Sequence, residues 1–171
     1  SNISDVALTP SITEDLFILG KIWGYLKYYH PSVASGEYNW DFELFRILPK
    51  ILGAKSQSER NSILNAWVKS LGKLEKANDN TPSGEVKIRP DLSWINAATF
   101  GAELANSLKE VKHAKRKSEH YYIGLVPNVD NPIFKNERPY HSMKYSDIGF
   151  RLLSLFRYWN IIQYYFPYKN L

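Results

Sequence analysis

Apolar residues in the first quarter of the chain recur at helical spacing. Leu16, Leu19, Trp23, Leu26 and Tyr29 or His30 step by threes and fours, which places them on one face of an amphipathic helix. "SITE" at 11–14 precedes them and has the form of a capping box, with Ser11 and Glu14 satisfying each other's backbone donors. Gly20 and Gly24 lie four apart and leave a smooth strip for the close approach of another helix, at a cost of about 1 kcal/mol each relative to Ala. Pro31 is expected to stop this helix.

"VASGEY" reads as a loop, and Asn39 as the N-cap of a second helix, "WDFELFRILPKIL", which Pro49 should kink or end. "SQSE" at 56–59 is a second capping box. It opens a third helix with Ile63, Leu64, Trp67, Leu71 and Leu74 on its inward face. From Ala77 to Ser93 the chain is rich in Asn, Pro, Gly and charge, which predicts a long surface loop with a short extended piece at "EVKI". A fourth helix is predicted from about Asn96 to Lys115, with Phe100, Leu104, Leu108 and Val111 as its stripe. "HYYIGLV" at 120–126 is β-branched and aromatic and therefore extended. After an irregular proline-rich stretch, Ser146 or Asp147 caps a last helix to about Tyr165. Its apolar residues lie on nearly every side, which predicts a central position.

The fold class is thus mostly α: a helical bundle with long irregular loops and at most a short extended or hairpin element. One structural domain is expected. It comprises a lead-in at 1–15, helices over 16–76, a loop at 77–95, a helix with an irregular segment over 96–146, and a last part at 147–171.

That last part repeats the first helix. Residues 16–31 align with 152–167 without a gap, and six of sixteen positions are identical: Leu16 with Leu152, Leu19 with Leu155, Trp23 with Trp159, Tyr28 with Tyr164, Tyr29 with Tyr165, and Pro31 with Pro167. Two unrelated amphipathic helices would share leucines by chance. They would not share Trp, Tyr-Tyr and Pro in register, so an internal duplication is the better reading. The first copy runs on through a loop into a further helix, whereas the second has only "YKNL" after its proline. The repeat unit therefore reads as truncated at 147–171.

Composition narrows the possibilities further. The chain has 171 residues, 44% hydrophobic and 15% aromatic, enough to bury a core. No apolar run approaches the ~18 residues a membrane-crossing helix needs. There is no cysteine, which excludes disulfides and thiolate chemistry. The net charge of +5 is mild. The start, "SNISDV", has neither an initiator Met nor a signal peptide and reads as a processed or trimmed end.

The segments "LGKIWGYLKYYHP", "YNWDFELFRILPKIL", "AKRKSEHYYIGLVPNVDNPIFKNERPY" and "RLLSLFRYWNIIQYYFPYKNL" resemble the N-terminal region of Bacteroidetes serine peptidases of the C-terminal processing, or tail-specific, group, serine peptidase family forty-one. The resemblance runs from about Leu16 to Leu171. It implies a helical region that precedes a PDZ-like segment, where one is present, and a peptidase core. The family's catalytic serine lies in that core and matches no position here, so no catalytic residue is carried over. The resemblance also implies an extracytoplasmic protein, in the periplasm or at the cell surface, whose partners are the downstream PDZ-like or peptidase domains of the same polypeptide.

The residues themselves offer little chemistry. His30, His113, His120 and His141 form no metal-ligand pair, no "GxSxG" elbow accompanies the serines, and Glu14-Asp15 suits a helix's first turn. No cofactor or metal is expected, and this chain alone is not expected to be an enzyme. The basic run "KEVKHAKRK" at 109–117 precedes Tyr121 and Tyr122, as a single-strand binder would require. A solvated helix end favoured by the dipole explains it better, and no nucleic-acid partner is expected.

The alternative to a non-catalytic structural or regulatory domain is a carbohydrate- or peptide-binding module built on exposed aromatics. Trp23, Trp67 and Trp159 fall on apolar stripes. Trp40 and Trp94 stand at helix starts or in loops and are better ligand candidates, with Tyr121 and Tyr122 beside them. The last helix should pack on the first, leaving a side near Phe156, Ile162 or Phe166 to meet another chain, with a homodimer as the expected form.

Overall fold

The computed structural model describes every residue except 4, 78–89, 167, 168, 170 and 171. The predicted "EVKI" piece and the repeated Pro167 lie outside the described residues. The elements run α1 (Pro10–Tyr29), α2 (Pro31–Ala34), α3 (Trp40–Leu52), α4 (Gln57–Ser70), α5 (Ala97–Lys112), β1 (Ile123–Leu125), β2 (Pro132–Phe134) and α6 (Ile148–Tyr165). The protein is mostly helical, and its only sheet among the described residues is the small antiparallel hairpin of β1 and β2, in which Gly124 faces Ile133.

Local signals decide most helix starts. Asn39 accepts from Phe42 N at 3.3 Å, Ser56 from Glu59 N at 3.1 Å, Asn96 from Thr99 N at 2.9 Å and Asp147 from Phe150 N at 3.2 Å. Each satisfies an amide that has no partner within its helix. Glu59 reaches back as a capping box requires, but its Oε2 accepts from Lys55 N, 2.8 Å away. The Ser11–Glu14 box does not open α1. Thr9 Oγ1 caps it by accepting from Ile12 N at 3.2 Å, and Pro10 takes the first turn, where its missing N–H is no loss.

Stops are less local. Pro31 ends α1 at Tyr29 and itself opens the short α2. Pro49 does not end α3, which continues to Leu52 before Gly53. Gly101, at φ 72° and ψ 165°, breaks α5 after its first turn, a conformation that a side chain would strain.

The centre of the bundle is α1, not α6. Leu19, Ile22, Trp23, Tyr25 and Leu26 are completely buried beneath α3, α4, α5 and α6. Trp40 stacks between Trp23 and Trp67, with ring centroids 6.2 and 5.2 Å away. The indole N–H of Trp23 donates to Trp40 O, and that of Trp40 to Trp23 O, both at 3.1 Å, so each buried indole finds a partner on the other helix. Tyr25 Oη ties α1 to α5 by donating to Leu108 O at 2.8 Å. The predicted stripe of α5, from Phe100 to Val111, is buried throughout. Ser107 Oγ donates to Asn65 Oδ1 at 2.8 Å and joins α5 to α4.

In contrast, α6 buries only Gly149, Leu153, Phe156 and Asn160, while Leu155 stays 56% and Tyr158 67% exposed. Its all-round apolarity does not reflect a central position: one face packs on α1 and the opposite face is open.

Candidate functional site

The glycine strip of α1 is where α6 approaches. A Cβ on Gly20 would lie 2.8 Å from Phe156 Cε1, and one on Gly24 only 1.8 Å from Asn160 Oδ1. Asn160 sits fully buried in this seam. Its Nδ2 donates to Gly20 O at 3.0 Å and to Phe156 O at 2.8 Å. Below it Tyr28 meets Tyr164 and Tyr165, both edge-on at 5.2 Å, and Tyr29 meets Tyr164 at 6.0 Å. Burial pushes the phenols of Tyr28, Tyr164 and Tyr165 up, so they stay neutral at physiological pH.

Beside the seam four charged side chains come together. Lys27, buried in α1, pairs with Glu137. Arg157 of α6 reaches Asp41 of α3, with Nη2 2.5 Å from Oδ2, and its Nε lies 2.7 Å from Glu137 Oε2. Tyr140 Oη donates to the same Asp41 oxygen at 2.8 Å. The Lys27 ammonium also lies 4.7 Å from the Tyr122 ring and 5.1 Å from that of Trp23, distances at which a ring's quadrupole attracts a cation. Burial lowers the Lys27 pKa and Glu137 partly restores it. Burial and the Asp41 carboxylate push Tyr140 up to about 12. A second buried pair, Arg60 Nη1 to Asp15 Oδ1 at 2.7 Å, joins α4 to α1.

These ion pairs tie α1, α3, α6 and the 137–140 segment together. A lysine acting as a general base needs a hydroxyl nucleophile in hydrogen-bond reach. Here the Lys27 ammonium is held by a carboxylate and rings, and both carboxylates are held by cations. His30 is buried with neither ring nitrogen hydrogen-bonded within the protein, and burial draws its pKa down to about 4.

The aromatics singled out from the sequence do not form one row. Trp40 and Tyr122 are buried in the core, which corrects the expectation that a helix start or loop would expose them. Tyr122 is held down by Lys27 and by Tyr121, edge-on at 4.9 Å. Tyr121 itself is 43% exposed and leans over Gly36, where a Cβ would come within 2.6 Å of its ring. Trp94 is half-buried, edge-on to Tyr25 and Phe100 at 5.8 Å each, and lines a cavity of about 130 Å³ with Lys21, Trp159 and Tyr164. Of the three residues expected on the open side of the last helix, Phe156 is instead buried against Gly20. Ile162 is half-buried and Phe166 is exposed.

Sequence reasoning missed the charge network. Its only local trace is a lysine between Leu26 and Tyr28 on an otherwise apolar stripe; its partners lie more than a hundred residues away. The basic run ends α5 as the dipole favours, with Arg116 Nη1 donating to Lys112 O at 3.3 Å. No helix among the described residues is long and apolar enough to cross a membrane. No family model, curated protein or solved structure matches this chain.

Proposed function

We propose that this chain is a non-catalytic structural or regulatory domain of a tail-specific-type serine peptidase that works outside the cytoplasm. It packs on downstream PDZ-like or peptidase domains of the same polypeptide, where it gates access or presents substrate. The resemblance over Leu16 to Leu171 supports the family. The observation that carries the role is the use made of the charges beside the seam: buried Lys27 and Asp41 and half-buried Glu137 and Arg157 tie α1, α3, α6 and the 137–140 segment together. Buried ion pairs contribute little net stability, but breaking one is costly, so they suit a part whose shape matters.

Two measurements test this reading. A serine-reactive fluorophosphonate probe should leave the chain unlabelled, and casein and tail-derived peptides should remain intact. Added to a tail-specific peptidase core, the chain should change that core's peptide-hydrolysis rate or melting temperature. Stoichiometric labelling of a serine, or a core indifferent to the chain, overturns the proposal. The reading as a carbohydrate- or peptide-binding module has less support, since two of its four aromatics, Trp40 and Tyr122, are in the core.

A further inference from the structure

The two copies of the repeated phrase lie side by side and parallel, and equivalent residues meet. Gly20 faces Phe156 and Gly24 faces Asn160, the pairs that the alignment equates. Tyr28 touches its own counterpart, Tyr164. The contact of Tyr29 with Tyr164 is answered by that of Tyr28 with Tyr165. Such reciprocity, with i meeting j and the counterpart of j meeting the counterpart of i, is the signature of a two-fold axis. Here the axis is local and runs along the seam between α1 and α6.

Under that axis every surface of α1 has an image on α6. The buried stripe Leu16, Leu19, Ile22, Trp23 and Leu26 maps onto Leu152, Leu155, Tyr158, Trp159 and Ile162. On α1 this stripe is covered; on α6 Leu155 and Tyr158 are more than half exposed and the other three are half-buried. The cover on α1 includes α3, which stacks Trp40 on Trp23 and sends Asp41 across the seam to Arg157. The image of Trp23 is Trp159, and the image of Arg157 is Lys21. Lys21 stands at the edge of the open face, its ammonium 4.7 Å from the ring of half-buried Trp94 and 5.3 Å from that of Phe17, which is 49% exposed and lies edge-on to Trp159 at 6.0 Å.

We propose that the outer face of α6, with Phe17 and Lys21 of α1 at its rim, docks an amphipathic helix built like α3. That helix carries a tryptophan in its first turn for Trp159, an acidic residue next to it for Lys21, and aliphatic residues at helical spacing for Leu152 and Leu155. It comes from outside the 171 residues of this chain, because α3 of a second copy already has Trp40, Leu44 and Leu48 buried on its own α1. The inference stands on the internal two-fold and does not depend on the peptidase reading.

The probe is a fluorescent peptide with the sequence of residues 38–52, "YNWDFELFRILPKIL", titrated into the intact chain and followed by anisotropy. Saturable binding is expected. It should weaken by about tenfold or more when Leu155→Asp or Tyr158→Asp places a charge on the face. Both positions are exposed, so circular dichroism should show these variants folded. Lys21→Glu should weaken the wild-type peptide and recover with a peptide carrying Asp41→Lys, a swap that no purely structural effect reproduces. Three results overturn the proposal: no saturable binding, binding indifferent to Leu155→Asp, or light scattering that shows a dimer abolished by Leu155→Asp, which would assign the face to a second copy.

Discussion

Alanine is the better helix former, so Gly24→Ala in the middle of α1 should stabilise the protein by about 1 kcal/mol on propensity alone. The seam predicts the opposite sign. The new methyl would fall 1.8 Å from Asn160 Oδ1 and 1.9 Å from its Cγ, so the amide must leave its place. Asn160 is fully buried and its Nδ2 serves two carbonyls, Gly20 O and Phe156 O. Displacing it forfeits at least one of those bonds and strands buried polar groups, at about 1–3 kcal/mol. Spreading the packed helices costs a similar amount. With the propensity gain subtracted, the net loss is about 1–5 kcal/mol, a fall in Tm of roughly 2–20 °C at about 2–4 °C per kcal/mol for a chain of this size. Urea denaturation of wild type, Gly24→Ala, Asn160→Ala and the double variant measures this directly. The double variant should be more stable than additivity allows, by about 1 kcal/mol or more, because removing the amide makes room for the methyl. If Gly24→Ala raises stability by the propensity increment, or if the cycle is additive, α6 does not press on α1 at this point.

Three further outcomes are expected. Trp23→Ala should cost about 3–5 kcal/mol in thermal or urea melts, and Trp159→Ala, at the half-buried image position, less than half as much; equal losses would mean that the face of α6 is already covered. Glu137→Gln should destabilise by about 3 kcal/mol because it leaves Lys27 buried without its carboxylate, whereas Lys27→Met should cost far less; similar losses would show that the charge is solvated. Stability should decline below pH 6.5, because the unfolded chain protonates His30 there while the folded one resists down to about 4, a loss of about 3 kcal/mol by pH 4 to which His120, also drawn down by burial, adds. Urea melts from pH 7 to 4 should show this slope and His30→Phe should flatten it, unless the imidazole is charged in the fold.

What could be read along the chain was what local chemistry determines. Asn39, Ser56, Asn96 and Asp147 begin their helices because a cap and its amide lie three residues apart. The glycine strip also announced a close helix, since the absence of side chains at 20 and 24 has few other uses. Position in space was not legible. Trp40 looked available because helix starts are commonly exposed, yet this start lies on Trp23, and the two indoles hydrogen-bond across the helices. Phe156 looked like part of an open face because α6 is apolar on every side, and only the bulk of a phenylalanine opposite Gly20 decides which side is inward. The ion pairs joining Lys27 to Glu137 and Arg157 to Asp41 span 110 and 116 residues, beyond the reach of any periodicity.

The parallel pairing of α1 with α6 also orders events in time. Asn160 reaches Gly20 across 140 residues of chain, so the most buried helix is synthesised well before the helix that seals its glycine strip. Closing so long a loop is entropically costly before any contact repays it, and contacts of this separation slow folding. A nascent chain ending before residue 148 holds α1 with one flank open to water, a surface for chaperones or for a wrong helix to take. Pulse-labelled hydrogen exchange during refolding should therefore protect amides of α4 and α5, whose side-chain bonds span 38 and 42 residues, before those of α6.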